Sequence, residues 1–189
     1  QPTAPPKKRT ALGRFCHEGA NTTLTRDRRV AAYMGDDAKF EYVYKFVSRD
    51  RYNPSERAAH LDLLDHGTLY VARFDASGQG VWLPLVHDEN GALNSRNGFS
   101  SQAEVVIKCR AAADLLGATP MDRPEDVEPS PITGRVYMAL TKNDERQTAN
   151  KLFNGRNVDF GPNAANPRPQ NDFGHILFLS NYNWAHLQN

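Results

Sequence analysis

Four stretches of the 189-residue sequence gather side chains whose types and spacing could do chemistry. Gly13-Arg14-Phe15-Cys16-His17-Glu18-Gly19-Ala20 places a thiol, an imidazole and a carboxylate in successive positions next to a glycine. In an extended segment Cys16 and Glu18 project to one side and His17 to the other, so at most two of the three share a site. The run lacks the second ligand pair of a zinc site, and by itself it reads equally as a polar loop. Tyr33-Met34-Gly35-Asp36-Asp37 ends in two adjacent carboxylates, which are hard oxygen ligands suited to calcium. They can equally cap a turn.

In Met121-Asp122-Arg123-Pro124-Glu125-Asp126 a proline stands between a guanidinium and a carboxylate. It biases Arg123 toward an extended conformation, which would send Arg123 and Glu125 to the same side. A guanidinium beside a carboxylate that can ligate a metal suits a phosphate or carboxylate substrate. A surface ion pair is the plainer reading. The fourth stretch, from Asn163 to Ile176, is rich in amides and too long for a simple connector. Its polar candidates are Asn166, Arg168, Asn171 and His175.

The elements that must carry these residues are mostly strands. Arg29 to Met34, Phe40 to Val47, Thr68 to Phe74, Val81 to Val86 and Arg135 to Thr141 are rich in β-branched and aromatic residues. Phe40 to Val47, with Glu41 and Lys45 interleaved, has the pattern of a half-buried strand. The turn Asp75-Ala76-Ser77-Gly78-Gln79-Gly80 predicts a hairpin between the third and fourth of these. One helix is predicted, with Ser101-Gln102-Ala103-Glu104 as a capping box, Val105, Cys109, Ala112 and Leu116 on one face, and Gly117 as its stop. Short strands of similar character at Arg29, Thr68 and Arg135, the first two about 39 residues apart, fall in the range of propeller blades. The fold class expected is therefore mainly β, an incomplete arc of a β-propeller with one inserted helix. A helix-inserted β-sandwich is the competing shape.

Composition narrows the function classes. Hydrophobic residues make up 39% and charged residues 24%, which is globular usage on the polar side. The net charge of +1 gives no overall field for holding nucleic acid or an anionic membrane. The longest apolar runs, such as Ile176 to Leu179, are far short of a membrane span. Residues 1–9 are polar, proline-rich and basic, and are expected to be a flexible N-terminal segment, with residues 10–189 forming the partial β-propeller domain. The run from Asn181 to Asn189 shows no turn or closing element. Two cysteines cannot make a disulfide-rich scaffold. No P-loop, dinucleotide fingerprint or serine-hydrolase elbow is present.

Taken together, the motifs resemble the PhoX-type secreted alkaline phosphatases. The resemblance is carried by Leu12-Gly13-Arg14-Phe15, His17-Glu18-Gly19-Ala20, Val30 to Asp37, Glu41 to Ser48, Gly67 to Phe74, Ser101 to Glu104, Ala112 to Thr119, Met121 to Glu125, Asn166-Pro167-Arg168 and Gly174-His175-Ile176. They occur in the family's order and cover about Thr10 to Ile176. The resemblance implies a six-bladed propeller, exported to the periplasm or outside the cell and monomeric when complete. It implies hydrolysis of phosphate monoesters with iron and calcium as cofactors. Carried over position by position, Glu18 and Glu125 would be metal ligands, joined by Asp36 or Asp37, and Arg123 would clamp the substrate phosphate. Cys16 stands at a variable position of its motif and receives no role. The chain corresponds to a middle portion of a family member, so that alone it is expected to be inactive. After Ile176 the family's Arg-Trp strand is replaced by Leu177-Phe178-Leu179-Ser180. A non-catalytic, calcium-stabilised propeller module is the alternative.

Overall fold

The computed structural model describes residues 5–147, 151–153 and 156–179. The run from Asn181 to Asn189 and Ser180 lie outside the described residues. Chain order is β1 (His17–Leu24), β2 (Arg29–Asp36), β3 (Val43–Arg51), β4 (Gly67–Phe74), β5 (Gly80–Pro84), α1 (Gln102–Ile107), α2 (Cys109–Leu115), β6 (Pro124–Pro129), β7 (Val136–Leu140), β8 (Lys151–Phe153), β9 (Arg156–Val158) and β10 (His175–Leu179). The first five strands form an antiparallel sheet in sequence order, β6, β7 and β10 form a second in the order β10-β7-β6, and β8 and β9 pair as a hairpin. The mainly β expectation is thus met by antiparallel sheets with few helices. No helix among the described residues is long and apolar enough to cross a membrane.

The period-2 pattern decides which core each residue joins. Cross-strand rows Ala32–Phe46–Leu69 and Met34–Tyr44–Val71 face the helices, together with Val105, Cys109, Ala112 and Ala113. The alternate residues Ala31, Tyr33, Val43, Val47 and Ala72 pack with Val127, Val136, Met138 and Leu140 of the second sheet. Both faces of β2 and β3 are therefore covered. This corrects the half-buried reading of 40–47: Lys45 is 6% exposed because a second sheet covers the face that alternation assigns to solvent, and Glu41 is 5% exposed with its carboxylate beside Arg110 of α2. The chain also reaches Phe40 at positive φ, and β3 starts only at Val43.

The hairpin of β4 and β5 is present, with Asp75 Oδ1 accepting the amide hydrogens of Ser77 and Gln79. The 39-residue spacing has another origin than blades. β2 and β4 lie in one sheet on either side of β3, and share their character because the same two cores receive them.

The predicted helix is two short ones. Ser101 Oγ accepts from the Glu104 amide at 3.3 Å, while the Glu104 carboxylate reaches the amide of Ser100 rather than of Ser101. Gly117, at φ +70, closes α2 with Gly117 N donating to Asp114 O and Ala118 N to Ala113 O, a Schellman pair. The break falls at Lys108. The Val106 carbonyl accepts from the Arg14 amide at 3.0 Å, so an incoming segment takes the bond that Arg110 N would have made.

Candidate functional site

The site grows from a seam where β1 and β2 lie against β6. Gly35 permits the approach: a Cβ there would stand 2.2 Å from the Pro124 carbonyl oxygen and 2.7 Å from that of Glu125. Gly19, at φ +57, abuts the backbone of Asp126 and Val127 in the same way. Both strands are irregular here. β1 has a register shift between Glu18 and Ala20, and β6 has one between Pro124 and Val127. Bulges of this kind re-aim side chains. Glu18 pairs in register with Gly35, whose Cβ side faces the Pro124 and Glu125 carbonyls. The strands bearing Glu18, Asp36, Asp37 and Glu125 therefore meet along one line.

Along that line three of the sequence candidates touch. Arg123 Nη2 donates to Asp37 Oδ2 at 3.0 Å and lies 3.2 Å from Glu125 Oε1. Thr141 Oγ1 donates to the same Glu125 oxygen at 2.7 Å. Asp37 Oδ1 is buried, and although it is 3.0 Å from Arg123 Nη2 it makes no hydrogen bond. Arg123 Nε and Nη1 have no partner among the described residues, and the side chain is 34% exposed. The guanidinium is thus tethered through one nitrogen.

Arg123 does not adopt the extended conformation that the following proline favours. Its φ is +53, in the left-handed region, a strain of about 1–3 kcal/mol. The turn is imposed from both sides. Asp122 bridges to Lys39, while Pro124 enters the ladder opposite Leu140. Asp122 is fully buried and anchors the turn: its carboxylate accepts from Arg146 Nε at 2.5 Å, Asn143 Nδ2 at 2.9 Å and Asn171 Nδ2 at 3.0 Å, and its amide donates to Asn166 Oδ1 at 3.1 Å. Arg146 is itself buried, donates to the Gly161 and Pro120 carbonyls, and lies over the Phe40 ring. A buried charge is tolerated when its lone pairs are satisfied in this way.

The amide-rich stretch therefore forms the support beneath Arg123. Asn166 and Asn171 hold Asp122, and His175 holds Asn171, with Nε2–H donating to Ala165 O at 2.9 Å and Nδ1 accepting from Asn171 at 3.2 Å. Arg168 is spent on the Gly174 carbonyl.

The remaining candidates are placed apart. Asp36 is fully buried and both its oxygens are engaged, by Arg110 Nε at 2.7 Å, Arg110 Nη2 at 2.6 Å and the Cys16 amide at 3.1 Å. Glu18 is exposed, and its carboxylate makes no hydrogen bond or ion pair to the described residues. His17 turns back, stacking on Phe15 with centroids 3.7 Å apart and donating from Nε2 to the Gly13 carbonyl. Cys16 is exposed and Cys109 is buried, both as free thiols; burial pushes the Cys109 thiol up to about 11.

Sequence reasoning missed Asp122, Arg146, Thr141 and Arg110. Arg110 alone had a local signal, since it follows Cys109 and so projects from the edge of the buried helix face.

A cation would find oxygen donors of the right hardness in Asp37, Glu125 and Glu18, and the buried, unbonded Asp37 Oδ1 is the kind of atom such an ion satisfies. Among the described residues, no group of three or more His, Cys, Asp or Glu is assembled into a full ligand set.

No curated protein matches the chain. Among solved structures it is similar to that titled "Pseudomonas fluorescens PhoX in complex with vanadate, a transition state analogue", at 47% identity and a TM-score of 0.84. The match covers 94% of this chain and 30% of that one, so the chain spans under a third of its neighbour's length. A sequence model of the family described as Alkaline phosphatase PhoX matches residues 1–188. With the motifs in family order and that match running over nearly every residue, the chain belongs to the alkaline phosphatase PhoX family.

Proposed function

We propose that this chain is the part of a phosphate-monoester phosphatase that supplies the phosphoryl-binding arginine and several of the acidic cation ligands. The observation that carries the reading is Arg123: Nη2 is tethered between Asp37 and Glu125, and Nε and Nη1 have no described partner. In phosphoryl transfer charge spreads over the equatorial oxygens, and catalysis consists mostly of positioning and electrostatic stabilisation. The unpartnered nitrogens of Arg123 suit two charge-assisted hydrogen bonds to one phosphoryl group. The buried support around Asp122 fixes the guanidinium before substrate arrives, so little reorganisation is needed during reaction. A solved relative crystallised with vanadate, described as a transition-state analogue, supports this class of chemistry.

Asp37, Glu125 and Glu18 would hold the cations, read from the family resemblance as calcium and iron. Asp37 is favoured over Asp36 because both Asp36 oxygens are occupied by Arg110 and Cys16. When bound, such cations neutralise developing charge on the transferring group and its leaving oxygen. Side-chain crowding is consistent with this, since Asp37 and Glu125 share a single guanidinium nitrogen.

The same reading makes the two sheets parts of an incomplete six-bladed propeller in an exported protein that is monomeric when complete. Further ligands would come from the rest of the protein, and residues 1–189 alone would turn over no phosphate ester. In the full-length protein, Glu125→Gln is expected to lower metal content, because it removes one anionic donor but not the bulk of the side chain. Elemental analysis of the purified variant checks this, and parental calcium and iron would refute the ligand role. Calcium alone, without turnover of a chromogenic phosphate ester by the parent, would favour a non-catalytic module.

A further inference from the structure

We infer that Arg110 and Asp36 form a positioning clamp that sets Asp37, and through it Arg123; this rests on Arg123 being the phosphoryl ligand. Arg110 projects from α2 and grips Asp36 with two nearly parallel bonds, Nε to Oδ2 at 2.7 Å and Nη2 to Oδ1 at 2.6 Å. The gripped Oδ1 also accepts the Cys16 amide at 3.1 Å, and the Cys16 carbonyl in turn accepts the Asp37 amide at 2.9 Å. A second tie, Asp36 N to Tyr42 O at 3.0 Å, holds the end of β2 from the other side. One guanidinium thus locks both the entry to β1, two residues before Glu18, and the backbone that presents Asp37 to Arg123. Arg110 has no contact with Arg123, Glu125 or Asp37 among the described hydrogen bonds and ion pairs; its Nε also lies 3.5 Å from the buried Glu41 carboxylate, and its tie to Asp37 runs through Asp36 and Cys16.

Holding the helices down does not require this ion pair. Val105, Cys109, Ala112 and Ala113 already bury their faces against Tyr44, Phe46 and Leu69. A fully buried carboxylate is a poor source of net stability compared with apolar packing, and its best-attested use is to fix one geometry. The grip also depends on the break at Lys108. The Arg14–Val106 bond that interrupts the helix starts α2 afresh at Cys109, which buries the Cys109 thiol and leaves the next residue beside Asp36. A lysine could supply the charge but not the planar fork. The helical insertion between the two sheets is thereby given a task at the seam.

The test uses the full-length protein, with vanadate as the probe. Arg110→Met and Arg110→Lys are made alone and in an Asp37→Asn background, and the vanadate inhibition constant and thermal midpoint are measured for each. Arg110→Met is expected to weaken vanadate about ten- to a hundredfold, the usual scale for loss of a support behind a ligand, with Arg110→Lys between it and the parent. In the Asp37→Asn background the same change adds less than about two-fold, because its route is already cut. Vanadate affinity within about two-fold of the parent in Arg110→Met, or full multiplication of the two effects, would overturn the clamp. If Arg110→Met does not fold, Arg110→Lys carries the same cycle, since Asp36 then keeps a cation beside it. Failure of the wider reading is separately visible. Arg123→Ala with parental vanadate affinity sinks the site itself, whereas weakening in Arg123→Ala but not at Arg110 sinks only the clamp.

Discussion

Arg123→Ala in the full-length protein is expected to lower kcat/KM for a phosphate monoester by about 10²- to 10³-fold, with metal content held near that of the parent. The magnitude follows from what is removed in the proposed site: the two unpartnered nitrogens of a tethered guanidinium, which would meet the charge that grows during transfer. Arg123→Lys should recover only part of the loss, because an ammonium is a point charge without the fork. Removing Arg123 also leaves Asp37 and Glu125 facing each other without their shared counter-charge. That strengthens the demand for a cation, so metal should be retained even as turnover falls. Vanadate inhibition and elemental analysis on one preparation separate the two effects. Metal lost in proportion to activity would make Arg123 a structural counter-ion.

Raising the pH from 7 to 9 is expected to increase folding stability by about 2 kcal/mol through Lys45 alone. Lys45 sits at the centre of β3, 6% exposed, in a row with Tyr33 and Tyr70. Its ammonium lies 4.6 Å from the centroid of the Trp82 ring and 5.6 Å from that of Tyr70. Burial, with a smaller contribution from Arg29, pushes its pKa down to about 7. The rings oppose that shift by about 1–2 kcal/mol, which is less than the cost of burying the charge. The sign follows from proton counting. Between pH 7 and 9 the unfolded chain keeps the lysine proton and the folded chain has largely lost it, so alkali favours the fold. Above about 9 the Cys109 thiol, raised by burial to about 11, begins to work the other way. Urea unfolding at pH 7, 8 and 9 reads the slope. Lys45→Met should flatten it and be the more stable protein at pH 7; an unchanged slope would show that Lys45 keeps its proton.

How much of this was legible depends on the range of the interaction. The hairpin at Asp75–Gly80 and the stop at Gly117 are set by turn chemistry within a few residues, and both stand where the sequence put them. The break at Lys108 was invisible, because Val105-Val106-Ile107-Lys108-Cys109 contains no breaker; the cause is Arg14, far away in sequence. The burial of Lys45 was misread for the same reason, since alternation cannot show a second sheet. At the site, Arg123 and Glu125 do meet, but through a left-handed turn at Arg123 and not through the extended segment that their two-residue spacing suggested. Asp37 joined them only through the Gly35 seam, and the two adjacent aspartates could not be told apart until the packing turned one to Arg110 and the other to Arg123. Asp122 looked ordinary in sequence. Its importance lies in partners contributed by Asn143, Arg146, Asn166 and Asn171.

The most direct measurement is a crystal structure of the full-length protein soaked in vanadate. The account predicts vanadate density at Arg123, within hydrogen-bonding distance of its Nε or Nη1, with Nη2 still held by Asp37 and Glu125. Vanadate bound elsewhere, with the Arg123 fork turned away from it, would contradict the account.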